Sequence, residues 1–339
     1  MPPRPIDLVR VAGTHREVGN QIGAATAEVV RRHAAAIDAR RLAEAAAYRD
    51  VTAAELPWLI EELDGVAEGA GADPLAVFAA GIEEIAVEEP APASRCSDLV
   101  ATAPSTPDLH VWAAHNNDLG PESEEELVAI EWSVPGDPVL FTLGIGPWIS
   151  VGFNAAGLAL TGNELSPNDD RVGIPRLLLV RDILRRRTLA EATEAALHPH
   201  RASSYNNLLS HREGGVCSVE GSATDAELLY PDERGTLAHT NHYTSERMAA
   251  YERDPGDIAG SCARQRSARA WLDSGPATPQ LLREALSDHT GAPDSLCRHI
   301  ERGAQSKTVF WCLADVTEGT IQYGRGNPCD SQEQRYAFN

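Results

Sequence analysis

EEPAPASRCSDLVATA, residues 88–103, holds the point at which the chain changes from helical to strand-like periodicity. Its first seven residues, 88–94, are rich in Pro and Glu and read as an exposed linker. Cys96 stands where that linker meets the first strand. Downstream, LHVWAAHNND, ELVAIEWSV, PVLFTLGI and WISVGFNAAGLALTG are short, β-branched and punctuated by Gly, Pro and Asp, the pattern of consecutive antiparallel strands. Upstream, the first ninety or so residues read as helical. Thr14 and Glu17 form a capping box ahead of an Ala-rich stretch that runs to about residue 47. Thr52 and Glu55 form a second box ahead of LPWLIEELDGVAEG, with Gly69 or Gly71 as the stop, and Asp73 with Pro74 opens a third helix. Further along, a helical insertion is expected over residues 175–196, capped by Thr188 and Glu191. Strands then resume at NNLLSHREGGVCSVEG and AELLYPDERGTLAH, helices at about 262–273 and 279–287, and last strands at KTVFWCLADV and GTIQYG. Runs of strands beside runs of helices predict an α+β layered fold.

The chain of 339 residues carries 42% hydrophobic residues and can bury a sizeable core. Its net charge of −21 repels phosphate backbones and anionic lipid heads, which argues against nucleic-acid and membrane-surface partners. The opening residues, MPPRPIDLVRVAG, lack an apolar signal core, so a cytoplasmic location is expected. Lys307 alone among the basic residues is a lysine, which leaves a single candidate for Schiff-base chemistry. The six cysteines, at 96, 217, 262, 297, 312 and 329, form no CxxC pair and are expected to be reduced.

Cys96 and the polar run His115-Asn116-Asn117-Asp118 lie on adjacent predicted strands, and a hairpin would bring them together. An Asp near a cysteine can hold an ammonium or orient a proton carrier, and Asn amides can donate to a developing oxyanion. A buried structural cysteine with a polar turn accounts for the same spacing, and spacing does not separate the two readings. Asn206 and Asn207 enter another strand as further amide donors, although turn chemistry explains them equally well. His239 and His242 have a spacing suited to two metal ligands, with His211, Cys217, Cys297 and His299 as others, but no third ligand falls at a recognisable interval and there is no HExxH. No GxSxG, GxxxxGK[ST] or strand-following GxGxxG is present.

The motifs AGTHREVGNQIG, ELPWLIEELDGVAEGAG, Cys96-Ser97, His115-Asn116-Asn117-Asp118, GFNAAGLALTGNEL, GIPRLLLVRDIL, SSYNNLL, HTNHY, SLCRH and GNPCDSQEQRY, in this order, resemble the acyl-CoA:6-aminopenicillanate acyltransferase family within the cysteine N-terminal nucleophile hydrolases. The resemblance implies a four-layer αββα sandwich with a helical N-terminal pro-region. It also implies self-cleavage between Arg95 and Cys96, dividing the chain into a helical segment 1–95 and a catalytic segment 96–339 that together make one globular unit. The freed α-amine, with an ordinary pKa of about 7.7–8.0, would serve as general base for its own thiol. Carried over by motif, Asp118 would position that amine and Asn206 would stabilise the oxyanion, with Asn116 and His115 in supporting roles. No cofactor or metal is implied. Two positions depart from the family pattern. Arg95 stands where the family usually has Gly, which tolerates a strained scissile backbone better. His115 stands where the family has Gln and the wider superfamily often Arg, retuning the charge near the nucleophile.

The reading that follows is an enzyme of small-amide or natural-product metabolism. It would pass an acyl group from an amide or thioester donor, acyl-CoA among them, through a Cys96 thioester to an amine or water. An unprocessed, non-catalytic binding or regulatory protein on the same fold is the alternative from another class. A metal-dependent hydrolase using His239 and His242 is a third.

Overall fold

The computed structural model describes residues 4–85 and 95–338; the predicted linker at 88–94 lies outside them. The chain begins with strand β1 (Asp7–Ala12), then helices α1 (His15–Ala25), α2 (Ala27–Ala35), α3 (Ala39–Glu55), α4 (Pro57–Ala70) and α5 (Pro74–Ala80). Six strands follow: β2 (Ser97–Ala101), β3 (Trp112–Leu119), β4 (Leu127–Ser133), β5 (Leu140–Ile145), β6 (Trp148–Asn154) and β7 (Leu158–Asn163). Helices α6 (Arg176–Ile183) and α7 (Leu189–Ala196) precede β8 (Asn206–His211), β9 (Val216–Gly221), β10 (Ala226–Leu229) and β11 (Thr236–His239). Helices α8 (Ala259–Asp273) and α9 (Pro279–Leu286) lead to β12 (Lys307–Asp315), β13 (Thr320–Arg325) and β14 (Gln334–Ala337).

The strands form two sheets, one ordered β1-β4-β5-β6-β7-β8-β9-β10 and the other β11-β2-β3-β12-β13-β14. Period-2 alternation assigns each strand two apolar faces. Val100, Ala113, Phe141, Val151, Leu208 and Cys312 meet between the sheets. Their neighbours Leu99, Trp112, Ala114, Trp311 and Leu313 turn the other way, onto Leu272, Leu282 and Leu286 of α8 and α9. On the far side, Val128, Ile130 and Leu160 pack under α1–α7. The order is therefore helices, sheet, sheet, helices, the αββα sandwich. Strands buried on both faces explain why these segments read as near-continuous apolar runs.

Several cap signals are realised. Thr14 with Glu17 and Thr188 with Glu191 both form reciprocal capping boxes, Asp73 accepts from the Ala76 amide, and Gly71 ends α4 with a left-handed φ of 64°. Two expectations fail. Thr52 does not open a helix: its hydroxyl bonds back to Tyr48 O inside α3, and α4 starts at Pro57 without a side-chain cap. Proline at the first helical position, rather than a capping hydroxyl, restarts the helix there. The N-terminal segment is also not wholly helical: DLVRVA, with β-branched Val9 and Val11, forms β1 and pairs in parallel with β4 from Asp7↔Val128 to Ala12↔Ser133.

Helices α1 and α4 cross at glycines. A Cβ at Gly19 would fall 1.9 Å from Glu62 O, and one at Gly23 would fall 2.0 Å from Val66 O. Among the described residues, no helix is long and apolar enough to cross a membrane. Gly19→Ala is expected to force the helices apart and lower unfolding free energy by about 1–3 kcal/mol, the range for overpacking. Urea denaturation with Asp50→Ala on the outer face of α3 as the surface control checks this.

Candidate active site

Strand β2 pairs antiparallel with β3, with Ser97 opposite Asn116 and Asp98 opposite His115. The ladder extends one step further, since the Arg95 amide donates to Asp118 O at 3.0 Å. The expected hairpin therefore brings Cys96 to the His115–Asp118 run. Alternation divides that run between two faces. Cys96, Asp98, His115 and Asn117 project between the sheets, like Val100. Ser97, Asn116 and Asp118 project toward α8 and α9, like Leu99.

On the inter-sheet face, His115 Nδ1 lies 2.8 Å from Asp98 Oδ1, Asn117 Nδ2 lies 3.4 Å from His115 Nε2, and the Cys96 thiol hydrogen-bonds His115. Burial opposes charge on this imidazole, but the Asp98 carboxylate and the Cys96 thiol override it and push His115 up to about 10. The result is a Cys–His–Asp line with both His115 and Asp98 fully buried.

On the opposite face, Asp118 Oδ1 accepts from Thr308 Oγ1 at 2.7 Å, and Oδ2 lies 3.8 Å from Arg298 Nε. Burial pushes Asp118 up to about 6, against the pull of Arg264 and Arg298. Arg264 Nη1 donates to Cys96 O at 2.5 Å and to Ser97 Oγ at 3.0 Å, while Nη2 donates to Asn241 Oδ1 at 2.9 Å. Burial lowers this guanidinium to about 10, so it stays charged at neutral pH. Asn116 donates to Leu286 O and Leu296 O at 2.8 and 2.9 Å, tying β3 to the segment after α9. Its amide is an anchor of the hairpin.

The thiol face opens on a cavity of about 350 Å³ between the sheets and helices α5 and α6. Cys96, Asn117, Asn163 and Asn207 supply polar wall atoms, and Trp148, Ile149, Leu160, Leu177 and Val180 supply much of the rest. Alternation along β8 turns Asn207 with Leu209 toward the helices, where it reaches the cavity wall. Asn206 turns with Leu208 to the inter-sheet face, donating to Asn163 Oδ1 at 3.3 Å and accepting from Ser218 Oγ at 2.5 Å. The buried Nδ2 of Asn163 has no hydrogen-bond partner among the described residues. At one end of the cavity, Glu83 and Glu164 both bond Arg176, at 2.8 and 3.1 Å, and Tyr205 Oη donates to Glu83.

His239 does not stand as an open ligand. Its Nδ1 lies 2.9 Å from Asn163 Oδ1 and its Nε2 lies 2.8 Å from Glu220 Oε1, which engages both ring nitrogens in a bridge between the sheets. His242 Nδ1 lies 2.8 Å from Ser261 Oγ. Asp98 and Asn163 had no place in the sequence reading. The signal for Asp98 was the two-residue step from Cys96 on one strand, and for Asn163 it was the strand end in ALTGN.

The sequence model of the acyl-coenzyme A:6-aminopenicillanic acid acyl-transferase family matches residues 105–330. The chain belongs to that family. The matched region takes in the polar run of β3, both asparagines of β8 and the segments bearing Arg264 and Arg298, and it begins after Cys96. No curated protein matches the chain of this acyltransferase-family member. Among solved structures it is similar to conjugated bile acid hydrolase from Clostridium perfringens, seen as a variant, at 14% identity and a TM-score of 0.47 over 72% of this chain and 97% of that one. A Caenorhabditis elegans N-acylethanolamine-hydrolyzing acid amidase ortholog gives 14% and 0.46 over 66% and 93%, and penicillin V acylase from Agrobacterium tumefaciens gives 14% and 0.43 over 68% and 83%.

The linkage sign for His115 follows from its raised value. The charged pair with Asp98 contributes stability in full below the ordinary histidine pKa of about 6.5 and loses it as pH rises through about 10. The stability advantage of the wild type over His115→Gln should therefore shrink across that window. Urea midpoints measured at intervals through it provide the check, and an advantage that grows with pH would contradict the assignment.

Proposed function

We propose that this family member transfers or hydrolyses the acyl group of a small amide or thioester through a thioester on Cys96. The observation that carries this reading is a cysteine on the wall of a mostly apolar cavity, in hydrogen-bond contact with a buried His115–Asp98 pair. The Cys96 sulfur attacks the acyl carbonyl, its proton passes to a nearby base, and the tetrahedral oxyanion collapses to release the amine or thiol of the donor. An amine or water then removes the acyl group. Asn206 is the motif-matched oxyanion donor, and Asn163 and Asn207 are the amides that reach the cavity wall. Trp148, Ile149, Leu177 and Val180 favour an apolar acyl chain. The Glu83–Arg176–Glu164 group disfavours an acyl chain ending in carboxylate.

Maturation by cleavage between Arg95 and Cys96 belongs to the same proposal. The thiol would attack the Arg95 carbonyl, shift the peptide to a thioester, and yield a free α-amine after hydrolysis. That amine would lie where β2 separates the two faces. Asp118 would orient it, and the guanidinium groups of Arg264 and Arg298 would disfavour its protonated form and so keep it a base.

A second reading has its own support. Arg95 is held by Asp257 Oδ2 at 3.1 Å and by the backbone bond to Asp118, and His115 gives the uncleaved chain a protonated imidazole beside the thiol. In that reading the bond stays intact. Intact mass spectrometry separates the two: fragments 1–95 and 96–339 support maturation, and a single chain supports the second reading. Cys96→Ala is expected to abolish both cleavage and acyl-enzyme formation with an apolar N-acyl amine or p-nitrophenyl ester. Full turnover in that variant would overturn the proposal. The acid limb of kcat/KM should follow Asp118, falling as pH drops through about 6.

A further inference from the structure

His289, Cys297, His299 and Cys329 come from three separate segments: the turn after α9, the run Ser295-Leu296-Cys297-Arg298-His299, and the turn before β14. One nitrogen or sulfur atom from each lies within 4.8 Å of the others. The separations include 3.8 Å for Cys297 Sγ to Cys329 Sγ, 3.4 Å from each sulfur to His299 Nε2, and 3.1 Å for His289 Nε2 to His299 Nε2.

Hydrogen bonding does not account for this cluster. Neutral His299 Nε2 carries one hydrogen or one lone pair, so it satisfies one neighbour, yet three groups converge on it. A cation at the centre satisfies all four donors together. These four separations also have the right size. With bonds of about 2.3 Å to sulfur and about 2.0–2.1 Å to nitrogen, a tetrahedral zinc ion sets edges of about 3.8 Å for S···S, about 3.5 Å for S···N and about 3.3 Å for N···N. Two thiolates and two imidazoles match the soft, closed Cys2His2 donor set of structural zinc and leave no open position for substrate. Asn327 Nδ2 donates to Cys297 Sγ at 3.5 Å, and the Cys329 backbone amide also bonds that sulfur, as second partners of a metal thiolate do.

We propose that these four side chains bind one structural Zn²⁺. Binding converts two thiols to thiolates and releases two protons, leaving a neutral site with no change of oxidation state. Its place in the fold gives it a second consequence. Arg298 lies between two of the ligands, with its carbonyl held by Asn327 Nδ2 at 2.6 Å and its guanidinium facing Asp118. The ion would fasten the segment that presents Arg298 behind the Cys96 strand, while His239 and His242 remain hydrogen-bonding residues.

The test is metal content by inductively coupled plasma mass spectrometry on untagged protein purified with reductant and without added metal. One zinc per chain is expected in wild type, with loss of stoichiometric zinc in Cys329→Ser and in His289→Ala. Because either variant can fail to fold, the wild type is also stripped and reloaded with Co²⁺. Tetrahedral visible bands with thiolate-to-cobalt absorption in the near ultraviolet are expected. Protein that retains no metal after incubation with excess zinc sulfate and desalting overturns the proposal. So does a cobalt spectrum without thiolate bands, or zinc retained undiminished in both folded variants. None of these readouts depends on acyl chemistry, so they stand or fall apart from the role given to Cys96.

Discussion

The pairing of β2 with β3 is the constraint on which the site depends, because one antiparallel register sets two chemistries on the two faces of a single strand. Cys96 and Asp98 turn to the inter-sheet cavity together with His115 and Asn117. Ser97 turns to α8 and α9 together with Asn116 and Asp118. A slip of β2 by one residue against β3 would turn its side chains over, sending the thiol into the Arg264–Arg298 layer and Ser97 toward the cavity. Anchors on several sides oppose that slip. Asn116 is bound to one carbonyl at the end of α9 and one beyond it, Arg264 grips the Cys96 carbonyl, and Trp311 and Trp112 pack on the same face.

The buried charges are arranged so that each has an opposite neighbour. Asp98 is answered by His115 across 2.8 Å, and Asp118 by Thr308 and two guanidinium groups. Unpaired burial of any of these would cost several kcal/mol, so the groups are interdependent. His115 is the member that most changes the chemistry. A fixed arginine or neutral glutamine at that position would supply charge or a hydrogen bond, whereas a histidine held by Asp98 can also carry a proton. The thiol of the intact chain therefore has a titratable partner before any α-amine exists, which loosens the dependence of thiol chemistry on cleavage at Arg95.

Much of the layering was legible in the sequence because it is written in local signals. Alternation, Pro and Gly punctuation and the boxes at Thr14 and Thr188 each act within a few residues. Thr52 misled because a Thr–x–x–Glu pattern also occurs inside a helix, where the hydroxyl bonds back to the preceding turn, and only the Pro57 restart distinguishes the cases. Strand β1 was masked by the helical residues that follow it, and its partner β4 lies more than a hundred residues away. At the site, Cys96, His115 and Asp118 were visible through one hairpin. Asp98 required the strand register, and Asn163 required the contact between sheets. The choice among Asn206, Asn207 and Asn163 turns on which face of β7 and β8 meets the cavity, a property of the packed sheets rather than of any motif.

The same limit explains why His239 and His242 drew attention as a ligand pair while Cys297 and His299 stood only as further candidates and His289 and Cys329 were not considered. A three-residue His spacing is conspicuous in sequence, but Glu220 and Asn163 already occupy both nitrogens of His239. His289, Cys297, His299 and Cys329 spread over 41 positions and converge only because β12 and β13 return the chain beside α9. Their convergence places a rigid centre next to Arg298 in sequence and, through Arg298, next to Asp118 in space. Asp118 is buried beyond the reach of solvent, and Arg264 and that one arginine are the charges that most favour its carboxylate. A displacement of the Cys297–His299 segment would thus change the field at Cys96 without touching the cavity. Stability at this corner and electrostatics at the thiol strand are properties of one connected unit.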